Sequence, residues 1–151
     1  MRLWRLTATA HAGTAFDGEG AARYAGRWNP RGVRLVYTAG SLALATLEMA
    51  VQLPGARVRY TAIEVDVADA LIDELDTSGL RRTWRFDSAV TRRLGESWVA
   101  SSRSFGLFVP SVLVDARSRE GNVLLNPGHP QSTALREVQR FRVTIDERFT
   151  R

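Results

Sequence analysis

The chain has 151 residues, 44% hydrophobic and 25% charged, with no cysteine and a formal net charge of +5 in which every basic residue is arginine. That length supports one domain with a real core and excludes two ordinary ones, and the lack of thiols excludes disulfides and thiolate metal sites. No run approaches the ~18 apolar residues of a membrane span, and the first residues lack a signal-peptide core, so a cytoplasmic protein without membrane contact is expected. The sequence pI of about 10.8 would suit nucleic acid, anionic nucleotides or an acidic partner. The arginines are scattered in ones and twos, however, which reads as solvated surface rather than a nucleic-acid patch.

Residues 3–8 alternate as an edge strand, and the Gly- and Ala-rich stretch 12–26 reads as a loop, long enough to suggest function. Gly26-Arg27-Trp28-Asn29-Pro30 is a dense turn around one Arg and one Trp, followed by a strand over 33–37. Ser41 is a good N-cap for a helix over 42–51, LALATLEMAV, apolar on nearly every side and therefore expected to be buried. Pro54-Gly55 forces a turn. Residues 57–67 alternate as a strand whose core face is expected to be Arg59, Thr61, Ile63, Val65 and Val67, with Val58, Tyr60, Ala62, Glu64 and Asp66 on the other.

Residues 69–75 read as a short acidic helix, broken at Thr77-Ser78-Gly79. A second helix spans 87–101, with Asp87 as N-cap. The β-forming run 105–115 is interrupted by Pro110, which makes it an edge, a bulge or two pieces with Ser111 at the break. Strands at 121–125 and 141–145 flank a turn at Asn126-Pro127-Gly128. Short strands mixed with two or three helices predict an α+β fold, a single domain over residues 1–151 with small mixed sheets.

Glu48 stands out because no side chain at helical spacing can neutralise it, so it should line a cleft or meet an Arg from elsewhere. Arg27, Tyr37 and Glu48 form one loop-strand-helix unit that offers a guanidinium, a phenol and a carboxylate to one ligand. Ser111 could be aimed into a site by the interrupted strand, or could satisfy backbone groups freed by the proline. Asn122 and Asn126 read as turn formers, with ligand contact as the alternative. Two histidines without ligand spacing argue against a metal. No G-x-S-x-G elbow or G-x-G-x-x-G turn is present.

Taken together, G-R-W-N-x-x-G-x-x-x-V-Y-T-A-x-S-x-A-x-A-x-L-E from Gly26 to Glu48, V-P-S at Val109 to Ser111 and N-V-L-L-N-P-x-H-P from Asn122 to Pro130 resemble the RES domain. That family is the toxin half of bacterial RES-Xre toxin-antitoxin pairs. The resemblance implies a fold similar to that of ADP-ribosyltransferases and cleavage of the nicotinamide-ribose bond of NAD+, with no metal. It also implies catalytic roles for Glu48, Arg27, Tyr37 and Ser111, with Trp28 and Asn126 beside them as substrate contacts.

Glu48 would stabilise the oxocarbenium-like transition state or orient the nucleophile. Arg27 would clamp the pyrophosphate, Tyr37 would stack on nicotinamide and Ser111 would position nicotinamide or ribose. The acceptor of ADP-ribose stays open between water, phosphate and protein. The implied partner is an Xre-type antitoxin that presents a carboxylate to Arg27 or a neighbour, with DNA reached only through it and a homodimer left open. The alternative is a basic nucleic-acid-binding or protein-interaction domain without catalysis.

Overall fold

The computed structural model describes residues 1–52, 59–146 and 148. The turn expected at Pro54-Gly55, and Val58 on the strand expected from residue 57, lie outside the described residues. The strands are β1 (Arg2–Ala8), β2 (Val36–Ala39), β3 (Tyr60–Asp66), β4 (Ile72–Glu74), β5 (Gly106–Pro110), β6 (Gly121–Leu125) and β7 (Arg136–Val143). The helices are α1 (Glu19–Arg23), α2 (Leu42–Ala50) and α3 (Ser88–Ser101). The strands form one seven-stranded sheet in the order β4-β5-β6-β2-β1-β3-β7. β4 and β5 pair in parallel and the other pairs are antiparallel. The architecture is α+β, with one mixed sheet in place of several small ones. Among the described residues no helix is long and apolar enough to cross a membrane.

Strand alternation sends successive side chains to opposite faces and so makes two cores. On one face Leu3, Val36, Ile63, Val65, Phe105, Val123 and Leu125 pack together. On the other, Leu35, Leu107, Val109 and Leu124 pack with Trp28, Trp84 and Trp98 near α3. Farther along that face Leu6, Ala39 and Ala62 meet Leu44 and Ala45 of α2. β3 is consequently buried on both sides: Tyr60 and Ala62 are as enclosed as Ile63 and Val65. Arg59, expected on a core face, is exposed.

Several expectations change for physical reasons. β1 is not an edge: it pairs with β3 from Arg2↔Asp66 to Ala8↔Tyr60, yet meets β2 only at Trp4↔Ala39. Arg5, the charge in the middle of this interior strand, donates from Nη1 to the Tyr37 carbonyl at 2.8 Å, while its Nε is buried without a partner among the described residues. The outer strands are β4 and β7. Arg136, Glu137, Arg140 and Arg142 blunt the β7 edge. Residues 69–75 form a 3-10 turn, Asp69–Leu71, and then β4 rather than a helix. Pairing with β5 and packing of Ile72 against the sheet core override the local helical pattern.

Part of the expected loop 12–26 folds as a 3-10 turn, Thr9–Thr14, and α1. β2 and β7 are displaced from the expected 33–37 and 141–145. Both expected caps are present. Ser41 Oγ accepts from the Leu44 N–H at 3.1 Å, and the Asp87 carboxylate accepts from the Ala89 and Val90 N–H groups at 2.9 and 3.2 Å. α2 is less enclosed than its composition suggested, since only Leu44 and Ala45 are fully buried. The remaining side borders a cleft.

Candidate active site

The cleft has a volume of about 460 Å³ and is bordered by Trp4, Arg27, Tyr37, Glu48, Met49 and Asn122, among others. That volume lies in the range of small-molecule and cofactor sites, roughly 300–1,000 Å³. It lies on the sheet face that carries α2 and α3, between the two cores there.

One half of the site is centred on Glu48. α2 brings the carboxylate to the cleft, where Oε1 accepts from Ser111 Oγ at 2.9 Å and from Asn122 Nδ2 at 2.7 Å. Ser111 directly follows Pro110, the last residue of β5, and is 2% exposed. Its Oγ also accepts from the Leu113 N–H at 3.1 Å, so the hydroxyl proton is directed to Glu48. Asn122 projects from β6. No arginine forms an ion pair with Glu48 among the described residues. Of the two environments expected for this carboxylate, the cleft is the one observed, and two neutral donors hold the charge.

The other half is the stretch from Gly26 to Asn29 with Tyr37. Arg27 Nη1 donates to the Arg85 carbonyl at 2.8 Å. The Arg27 carbonyl accepts from Thr91 Oγ1 at 2.6 Å, and the Gly26 carbonyl accepts from Arg92 Nε at 2.7 Å. α3 therefore pins the backbone on both sides of the guanidinium. Its approach requires glycine, because a Cβ on Gly95 would collide with the Trp28 carbonyl.

The Tyr37 hydroxyl donates to Asn29 Oδ1 at 2.7 Å and accepts from the Trp28 N–H at 3.0 Å. Burial pushes its pKa up to about 12, partly opposed by the Trp28 N–H and by the charges of Arg92 and Arg27. The phenol is neutral at physiological pH. Asn29, fully buried, also donates from Nδ2 to the Ala21 and Pro30 carbonyls. Arg5 also borders the cleft. Burial lowers its pKa to about 10, with the Asp17 charge acting in the opposite direction.

The structure thus brings Arg27, Tyr37 and Glu48 to one cleft, with Ser111 hydrogen-bonded to Glu48. Trp28 borders the same cleft, but its indole is 2% exposed and edge-on to Trp84 at 6.0 Å, so it forms a wall. Asn126 is placed elsewhere. Its Nδ2 donates to the Val99 carbonyl and its Oδ1 accepts from the Gly128 N–H, which fixes the turn after β6. Four residues of extended chain, about 13 Å, separate it from Asn122.

Asn122, expected as a turn former with ligand contact as the alternative, lies instead in β6 with its amide on the Glu48 carboxylate. Its signal was the placement of an amide, a poor strand former, inside an otherwise apolar β run. Among the described residues no group of three or more His, Asp or Glu side chains gathers as metal ligands.

Fold and site together define an α+β protein with an open cleft, a carboxylate held by hydroxyl and amide donors, and a guanidinium on a loop pinned by α3. Residues 2–146 match the family model described as the RES domain, and the chain belongs to that family. It is 34% identical over 153 residues to "Toxin Res" of Yersinia enterocolitica, covering 98% of this chain and 99% of that protein. It is 36% identical over 158 residues to "Prs ADP-ribosylating toxin" of a Sphingobium species, covering 99% and 96%. A chain in the crystal structure of the M. tuberculosis MbcT-MbcA toxin-antitoxin complex shares the fold, with a TM-score of 0.75 at 20% identity over 95% of this chain and 84% of that one.

Proposed function

We propose that this RES protein is the toxin of a toxin-antitoxin pair and breaks the nicotinamide-ribose bond of NAD+. The observation that carries the reading is the Glu48 carboxylate in the cleft, held by Ser111 and Asn122 with no cation paired to it among the described residues. A carboxylate so placed can stabilise positive charge that develops on a ribosyl carbon. The relatives named as toxins, one of them as ADP-ribosylating, support the same reading.

In this mechanism the C1′–N bond breaks and its electron pair leaves with nicotinamide, which becomes neutral. The cationic ribosyl group forms against Glu48, and the nucleophile then adds at C1′, a protonated nucleophile releasing its proton to solvent. Ser111 and Asn122 keep Oε1 in one place, so little reorganisation accompanies the charge change. Arg27 holds the pyrophosphate by charge-assisted hydrogen bonds. Tyr37 offers its ring to nicotinamide, since both hydrogen-bonding directions of its hydroxyl are already used.

Purified protein incubated with NAD+, with and without phosphate or a candidate protein acceptor, tests this by mass spectrometry of the products. Free nicotinamide with ADP-ribose, ADP-ribose-1″-phosphate or a modified protein identifies water, phosphate or protein as acceptor. Intact NAD+ in every arm refutes the reading. The name of the Sphingobium relative favours the protein arm.

Neutralisation by an Xre-type antitoxin at the cleft mouth belongs to the same proposal, and NAD+ and antitoxin should then compete on a Glu48→Gln protein. Undiminished NAD+ affinity in the complex would place inhibition elsewhere.

A further inference from the structure

We propose that Arg85 is a positioning residue that ties the two halves of the cleft together, acting through Arg27 and Ser111 rather than on substrate. It lies in a 3-10 turn, Trp84–Phe86, within a stretch that carries no recognisable motif. Its Nη2 donates to the Ser111 carbonyl at 2.6 Å and to the Val114 carbonyl at 3.1 Å. Its own carbonyl accepts from Arg27 Nη1 at 2.8 Å. One residue thus holds the backbone that carries the Ser111 hydroxyl and also the guanidinium of Arg27.

The segment after β5 needs such a support. The strand ends at Pro110, and Ser111 keeps one cross-chain backbone bond, its N–H donating to the Glu120 carbonyl at 3.2 Å. Ser111 Oγ must stay within hydrogen-bond reach of Glu48, and a shift of about 1 Å in a group that orients a catalytic residue is costly to rate.

Arg85 makes a poor scaffold residue by other measures. No carboxylate forms a direct ion pair with it among the described residues, although its charge acts on Asp115 at longer range, and its Nε is buried without a hydrogen-bond partner there. An orphaned N–H and a half-buried charge without a direct ion pair both oppose folding. Both carbonyls are reached from Nη2, whose two hydrogens diverge at fixed angles in the guanidinium plane, a geometry that a freely rotating lysine ammonium does not pre-organise.

The inference uses the NAD+ reading only for its kinetic readout. Arg85→Ala and Arg85→Lys are compared with wild type by hydrogen exchange of peptides covering 110–115 and by NAD+ turnover. Expected are about tenfold faster exchange in that segment with α3 and β3 unchanged, and turnover about tenfold lower in Arg85→Ala and intermediate in Arg85→Lys. Guanidinium ion at millimolar concentration should restore part of the Arg85→Ala turnover. On a Ser111→Ala background, Arg85→Ala should cost little more, because the two act in series.

Unchanged exchange at 110–115 in the folded variants, or losses that multiply in full on the Ser111→Ala background, would overturn the proposal. If Arg85→Ala does not fold, Arg85→Lys carries the same comparison. A wild type that leaves NAD+ intact would defeat the functional reading, and the exchange data alone would then decide the positioning role.

Discussion

The two halves of the cleft are held in different ways. Glu48, Ser111 and Asn122 arrive from α2, the end of β5 and β6, and they meet through side-chain to side-chain hydrogen bonds. Arg27, Asn29 and Tyr37 come from one short stretch, and α3 and the turn before it fasten that stretch mainly through backbone carbonyls. A side chain in the first half can change without disturbing the elements that carry it. In the second half the functional group and its support share a loop, so binding and stability should move together.

The largest expected effect breaks the first half. Glu48→Gln retains a near-isosteric side chain but removes the charge, and should lower NAD+ turnover by roughly a hundredfold to a thousandfold with little change in Tm. Turnover near wild type in the folded variant would remove Glu48 from the mechanism. Next is Arg27→Lys, which keeps a cation but loses the fork and the bond to the Arg85 carbonyl. NAD+ affinity should fall by about tenfold to a hundredfold, since hydrogen bonds to charged groups contribute roughly 1.5–3 kcal/mol. Calorimetric titration checks this, and equal affinity with a large drop in Tm would make Arg27 structural.

Asn122→Ala sharpens the comparison from the other side. Ser111 still holds Oε1, so turnover should fall by only about tenfold, the worth of one hydrogen bond to an ionised acceptor. Tm should change less than in Arg27→Lys. A loss as large as that of Glu48→Gln would mean that Asn122 touches substrate directly rather than orienting the carboxylate.

What could be read from the sequence follows the same division. The unit from Gly26 to Glu48 was legible because its signals are local: turn formers around Arg27, a cap at Ser41, and a carboxylate with no partner at helical spacing. Ser111 was legible as a hydroxyl at a proline break, though its bond to Glu48 spans 63 residues and follows only from the sheet order. Asn122 and Asn126 have the same residue type five positions from a proline and beside one, and only strand geometry sends the first to the cleft and leaves the second in a turn. The support of the Arg27 loop was not legible. Thr91 and Arg92 act on backbone carbonyls more than sixty residues away, and a carbonyl has no residue-type signature. β4 was misread for a related reason, since its strand conformation depends on β5 and on the burial of Ile72.

The smallest expected effect tests the second half through pH. Tyr37→Phe removes the bond to Asn29 Oδ1 and the acceptor for the Trp28 N–H, and should cost roughly 1–3 kcal/mol of stability near neutrality by leaving buried partners unsatisfied. In wild type burial raises the folded-state pKa of Tyr37 to about 12 from the ordinary tyrosine value near 10. Below the unfolded value the phenol is protonated in both states and the wild-type advantage is complete. Between about pH 10 and 12 the unfolded phenol ionises while the folded one does not, so that advantage should shrink by about 1.4 kcal/mol per pH unit at most. Arg5, whose pKa burial lowers to about 10, is common to wild type and Tyr37→Phe, so any contribution it makes cancels in their difference. Denaturant unfolding of the two proteins from pH 8 to 11 should therefore show a gap that is constant up to about pH 10 and narrows above it. A constant gap across the range would mean that Tyr37 is solvated in the folded protein and that the loop does not enclose it.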